Sequence, residues 1–170
     1  MILLEYKPDV RFVQFCKFLL FHFVNTGSPH CIVFMEENPQ LGQSVVEVDV
    51  NSLGRQIRRD GYFLPEGTNV SFVGEKGPGS YDVRTYERGV EAETLACGTG
   101  SVATALLAHR VKAASPPINI FVKSGERLIV DFVPGKDDRY ENVSLTGSAH
   151  FSFSGILEYD ISSNSMADKV

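Results

Sequence analysis

Cys97 stands directly before Gly98-Thr99-Gly100-Ser101, which open the run Gly98 to Lys112. The apolar positions of that run, Val102, Ala103, Ala105, Leu106, Ala108 and Val111, lie nearly all round a helix, the pattern of a buried one. Its first-turn amides have no intrahelical partner, and the positive end of the dipole lies there too, so an anion can bind. The same field favours thiolate over thiol, which predicts a Cys97 pKa drawn down from about 8.5 toward neutrality. A thiol so placed can serve as a base or a nucleophile. A second reading also fits, in which Cys97 is a small buried hydrophobe and the glycines only let helix and strand pack closely. Upstream, Tyr86-Glu87-Arg88-Gly89 sets a carboxylate and a guanidinium near the thiol. Taken alone, such a pair also suits a solvated surface.

The elements that must position these groups are mostly strands. Phe12 to Val24 is apolar and rich in β-branched and aromatic residues, and reads as a buried strand. It is shorter than a membrane span needs, is interrupted by Lys17 and His22, and lacks a small-residue cleavage pattern. Cys31 to Met35 reads as a buried strand closed by Glu36-Glu37-Asn38-Pro39. Ser44 to Val50 alternates as a half-buried strand or a helix-flanking extension. Asn51 or Ser52 is placed to cap a short basic helix through Ile57-Arg58-Arg59, ended by Gly61. Strand patterns then return at Thr68 to Val73, Tyr81 to Glu87, Ile118 to Val122, Leu128 to Val133, Val143 to Thr146 and Phe151 to Leu157. Ser124-Gly125 reads as a hairpin turn. One buried helix among eight or so strands predicts an α+β fold, a mixed, largely antiparallel sheet curled around that helix. No internal linker breaks the pattern, so a single domain is expected over 1–160, with a frayed tail at 161–170.

Composition bounds the function. The chain has 170 residues, 43% of them apolar, with 16 Lys+Arg against 21 Asp+Glu for a net charge of −5. That is an ordinary globular balance without the basic excess a phosphate backbone demands, so nucleic acid is not an expected partner, nor is a membrane. Three cysteines with no C-x-x-C spacing make no disulfide framework and suit a reduced, cytoplasmic setting. Cys16 and Cys31 lie in apolar runs and read as core.

The Cys97 stretch resembles the second-half signature of the diaminopimelate epimerase family. There a strand ending in Glu-Arg-Gly precedes Glu-Thr-Leu-Ala-Cys-Gly-Thr-Gly and a buried helix, as Glu87-Arg88-Gly89 and Glu93 to Gly100 do here. Gly27-Ser28-Pro29-His30 resembles that family's Gly-Asn-Pro-His turn, and Gly67-Thr68-Asn69-Val70 its Gly-Thr-Asn-Val strand start. Gly147-Ser148-Ala149 with Phe153 and Gly155 resembles its closing strand. The resemblance runs from about residue 25 to 158.

What it implies is stereoinversion at the α-carbon of diaminopimelate, in lysine and peptidoglycan precursor synthesis, by two cysteines on opposite faces of the substrate with neither cofactor nor metal. On this implication Cys97 is one of the two thiols, Glu87 engages the reacting amino group, and His30 lines the site. The amides of Gly98 and Thr99 hold the α-carboxylate, and Arg88 and Asn69 hold the distal amino-carboxylate end. Ser28 stands where the family has an asparagine that contacts substrate. Read without the family, Asn69 is equally a turn residue and His30 a loop histidine. Arg55, Arg58 and Arg59 read as a solvated helix face.

The family is built of two similar halves, and the Cys-Gly-Asn-Gly motif of its first half occurs nowhere in this chain. Three readings therefore stand. The chain is a C-terminal half needing a separate N-terminal half or a second copy of itself, a related amino-acid racemase of the same fold, or a half that folds and binds without turnover.

Overall fold

In the computed structural model of the chain, residues 2–3, 7–13, 16–136, 139–156, 159–160 and 165–166 are described. The sheet is assembled from β1 (Ile2–Leu3), β2 (Lys7–Val13), β3 (Cys16–Asn25), β4 (Pro29–Phe34), β5 (Asn69–Gly77), β6 (Ser80–Glu87), β7 (Ala92–Thr94), β8 (Ile118–Phe121), β9 (Arg127–Pro134) and β10 (Arg139–Thr146). Its order is β1-β10-β9-β8-β6-β5-β4-β3-β2, with β7 pairing to β6 off this path. Only β4 with β5 and β6 with β8 run parallel, and the remaining pairs are antiparallel. The strands at the two edges, β1 and β2, are consecutive in the chain, so the sheet must curl. The helix α2 (Gly98–Lys112) carries the parallel crossover from β6 to β8 and packs inside that curl. This is the expected architecture.

Side-chain alternation divides the core in two. Ile32 and Phe34 on β4, Val73 on β5, and Tyr81 and Val83 on β6 face α2, where Ala103, Ala105, Leu106, Leu107 and Ala108 are fully buried. The alternate residues, Cys31, Val33, Val70, Phe72 and Tyr86, face the other way. They pack on α1 (Val50–Arg58), whose Val50, Leu53, Gly54 and Ile57 recur at helical spacing on one side. Cys31 is core, as expected. The side chain of Cys16 lies outside what is described.

Four local expectations are corrected. Phe12 to Val24 is two strands, because Val13 pairs with Cys16 in a hairpin between β2 and β3. Residues 14 and 15 between them lie outside the described set. Of the two readings of Ser44 to Val50 the strand fails and the helix-flanking one holds: Val45–Glu47 forms a single 3₁₀ turn that leads into α1. The cause is Arg84, whose Nη1 donates to the carbonyls of Val45, Val46 and Val48 at 3.0, 3.0 and 2.9 Å, curling that backbone around one guanidinium. Neither Asn51 nor Ser52 caps α1; Asp49 does, its Oδ1 accepting the Ser52 N–H at 3.1 Å. Residues 147–156 form no strand, and Phe151, Phe153 and Ile156 are exposed, because among the described residues no neighbouring strand offers this stretch a ladder. Leu157 lies outside the described residues. Of the expected tail, Ser165–Met166 pairs with Tyr159–Asp160 as a short ladder, and 161–164 and 167–170 lie outside the described residues.

The turn at Ser124-Gly125 joins β8 to β9 as expected, with Gly125 at a φ of 85°. Ile118, Ile120 and Val130 of this pair complete the shell around α2.

Candidate active site

The residues with chemistry gather where the α2-facing positions of the central strands meet the first turn of α2. His30 is the second residue of β4 and Asn69 begins β5, and the parallel register sets them side by side. Two residues on, Ser71 pairs with Thr85 of β6, and their hydroxyls lie 2.9 Å apart in full burial. Glu87 ends β6, and Arg88 follows it into a four-residue turn that leads to β7 and Cys97.

Cys97 occupies the N-cap position of α2 in an extended conformation, and its carbonyl accepts from both the amide and the hydroxyl of Ser101 at 2.9 Å. That pairing fixes the start of the helix. Gly100 keeps this corner open, since a Cβ would lie a tight 3.2 Å from the Cys97 sulfur and 3.3 Å from the Ser71 hydroxyl. The thiol is thus confined between the helix and the Ser71–Thr85 shelf. Thr99 Oγ1 stands 3.7 Å from the sulfur and 3.1 Å from His30 Nε2, so the three form a chain.

The expected lowering of the Cys97 pKa is overturned. Burial pushes the thiol up, the Gly100 N–H and the Thr99 hydroxyl pull it down, and the nearby Glu87 carboxylate adds to the upward push, leaving it raised. Cys97 is 7% exposed, and desolvating a thiolate outweighs what a helix terminus returns. Cys31, fully buried, is pushed further above the ordinary range. His30 is lowered to about 4 by burial first and the Arg88 charge second. It is neutral at pH 7, and its Nδ1 is buried without a partner among the described residues.

Ser28, Asn69 and Arg88 form a second group. Asn69 is a clamp: its amide nitrogen donates to Ser28 Oγ at 2.9 Å and to the Pro29 carbonyl at 3.1 Å, while its Oδ1 accepts the Arg88 backbone N–H at 2.8 Å. The Arg88 side chain is half-buried, with Nη1 donating to the Glu66 carbonyl at 3.4 Å. Gly98 and Thr99 border a hollow of about 320 Å³, with Thr26, Val102, Val143 and Leu145 as its other main walls. The structure thus brings Cys97, Thr99 and His30 into one hydrogen-bonded chain with Glu87 beside the thiol, and ties Ser28, Asn69 and Arg88 together next to it.

The sequence reading missed two supports. The Ser71–Thr85 pair was signalled only by a lone polar residue inside Asn69-Val70-Ser71-Phe72-Val73. The other is Arg84, which grips Glu93 with Nε and Nη2 at 2.7 and 2.9 Å and so holds β7, the strand that delivers Cys97. Among the described residues no three His, Cys, Asp or Glu side chains converge as a metal site, and no helix is long and apolar enough to cross a membrane.

A family model described as diaminopimelate epimerase matches residues 22–151. Among similar proteins, the diaminopimelate epimerase of Hydrogenobaculum sp. (strain Y04AAS1) is 45% identical over 82% of this chain and 47% of its own length. That of Aquifex aeolicus is 42% identical over 82% and 46%. The chain therefore spans about half the length of the curated relatives it matches. In fold it is similar to a probable proline racemase from Agrobacterium radiobacter K84, at a TM-score of 0.61 and 17% identity, over 85% of this chain and 47% of that one.

Proposed function

The chain belongs to the diaminopimelate epimerase family, and from that premise we propose that it is one catalytic half of a cofactor-independent epimerase interconverting LL- and meso-diaminopimelate. The observation that carries this reading is the placement of Cys97 at the mouth of α2, beside Thr99, His30 and Glu87. The α-carboxylate of the substrate lies against the Gly98 and Thr99 amides, where fixed donors offset the charge that develops as the α-proton leaves. Glu87 takes the reacting amino group, and Arg88, held through its backbone by Asn69, faces the distal end with Ser28. Burial keeps Cys97 a thiol near neutral pH, so this half offers the acid, and a thiolate on the opposite face removes the proton. In the reverse direction the two exchange roles.

That opposite face calls for a partner. The exposure of Leu145, Phe151, Phe153 and Ile156, with Leu145 at the hollow beside Gly98, supports an apolar docking surface around the mouth of the site. A separate half bearing Cys-Gly-Asn-Gly fits better than a second copy, because a two-fold axis would bring two sets of Glu87 and Arg88 onto one unsymmetrical substrate. The test is incubation with diaminopimelate in deuterated water, for this chain alone and with such a half supplied. Inversion with solvent deuterium incorporation only in the mixture is expected. Full turnover by the chain alone at high dilution overturns the two-thiol reading, and binding without exchange in the mixture identifies a non-catalytic half.

A further inference from the structure

Resting on the reading that Cys97 exchanges a proton, we infer that Thr99 is a positioning residue whose hydroxyl, oriented by His30 Nε2–H, donates a hydrogen bond to the Cys97 sulfur and sets its readiness to ionise. The geometry fixes the direction of the chain. A neutral imidazole carries one N–H. On Nδ1 that proton would be an orphaned buried donor, because this atom has no partner among the described residues. On Nε2 it is satisfied by Thr99 Oγ1 at 3.1 Å, and only a bare acceptor is left unpaired. With its lone pair engaged by His30, the Thr99 hydroxyl has its own proton to give, and the sulfur lies 3.7 Å away.

The surroundings hold this arrangement. Thr99 is β-branched and stiff about χ1, and His30 is fully buried at the start of β4, pinned by the β5 register. A Cβ on Gly100 would meet both the Cys97 sulfur at 3.2 Å and the Ser71 hydroxyl at 3.3 Å, so the space beside the sulfur is small. The charged and titratable groups acting on this cluster are Glu87 from β6, which opposes ionisation of Cys97, and Arg88 from the following turn, which adds to burial in keeping His30 unprotonated. Thr99 is thus the neutral side-chain donor that, beside the Gly100 N–H, supports a thiolate disfavoured by burial and by Glu87.

The experiment measures the pH dependence of Cys97 alkylation by iodoacetamide on the intact chain, resolved by peptide mass mapping, and needs no substrate. Thr99→Val keeps the shape and removes the donor. It is expected to move the midpoint up by about one pH unit, making alkylation about tenfold slower at a fixed pH below it. Thr99→Ser restores the wild-type midpoint. His30→Asn, which releases the hydroxyl from its orientation, shifts the midpoint in the same direction, and the double variant shifts it no further. An unchanged midpoint in Thr99→Val, or equal shifts for Val and Ser, overturns the inference. Because alkylation reads the thiol directly, failure of the epimerase reading would show as absent deuterium exchange with these shifts intact.

Discussion

Lowering the pH below 6.5 should destabilise this fold through one buried imidazole. His30 is fully buried, and its pKa is lowered from 6.5 to about 4, by burial first and then by the charge of Arg88. Between those values the unfolded chain binds a proton at this residue and the folded chain does not. Stability is therefore fully present above pH 6.5 and is lost as the pH falls toward 4, where the folded protein begins to accept the proton as well. At 1.36 kcal/mol for each tenfold change in proton affinity, the full difference is worth about 3 kcal/mol. The assay is urea unfolding at pH 7, 6, 5 and 4.5 for wild type and His30→Asn, comparing slopes so that contributions common to both proteins cancel. Wild type should lose about 1 kcal/mol more per pH unit than the variant across the middle of this range. A histidine ring resonance assigned to His30 that titrates near 6.5 in the folded protein, or equal slopes for the two proteins, refutes the reasoning.

Three further outcomes follow from the packing. Arg84→Met leaves the Glu93 carboxylate, 10% exposed, with Lys123 alone as its ion-pair partner among the described residues, and frees three carbonyls, so it should cost about 3–5 kcal/mol by urea unfolding, with Arg84→Lys recovering little because an ammonium cannot fork. A loss under about 1 kcal/mol would show that the guanidinium does not organise this region. Gly54→Ala, favourable by about 1 kcal/mol in an open helix, should instead destabilise by about 1–3 kcal/mol, since the new Cβ meets Tyr86 Cβ where α1 crosses β6; Gly61→Ala, with open space around it, serves as the control. In the native protein iodoacetamide should modify Cys97 well before Cys31, which is fully buried and pushed further up in pKa, and equal rates would mean that Cys97 is not at an open mouth.

The features legible in the sequence were those decided locally. Gly98 to Lys112 is apolar on nearly every side and punctuated by glycines at its start, and α2 has those bounds. The strand patterns were equally plain where both faces are covered. The hairpin before Cys16 was not, because Gln14 and Phe15 carry no turn chemistry. Ser44 to Val50 alternated convincingly, but its fold is decided by Arg84, 36 to 39 residues away. Phe151 to Leu157 alternated too, and alternation cannot supply a neighbouring strand. In the site, the helix terminus at Cys97 could be read directly, whereas the desolvation that outweighs it depends on packing from β4, β5 and β6. Asn69 stood out by its motif, but its bonds to Ser28 and to the Arg88 amide exist only once β4 and β5 lie in parallel register.

Because β4 and β5 carry reactive or polar groups on one side and apolar core on the other, lineages of this chain should tolerate length changes very unevenly. A one-residue slip of Asn69 to Val73 along β4 would send Val70 and Phe72 toward Cys97 and drive Asn69 and Ser71 into the α1 core, spoiling the Cys97 cluster and the packing together. A two-residue slip would restore the facing but slide His30 away from Asn69. Insertions and deletions should therefore be purged from these two strands and accumulate in the exposed turn between β9 and β10 around Gly135 and Lys136, where no paired strand has to keep step.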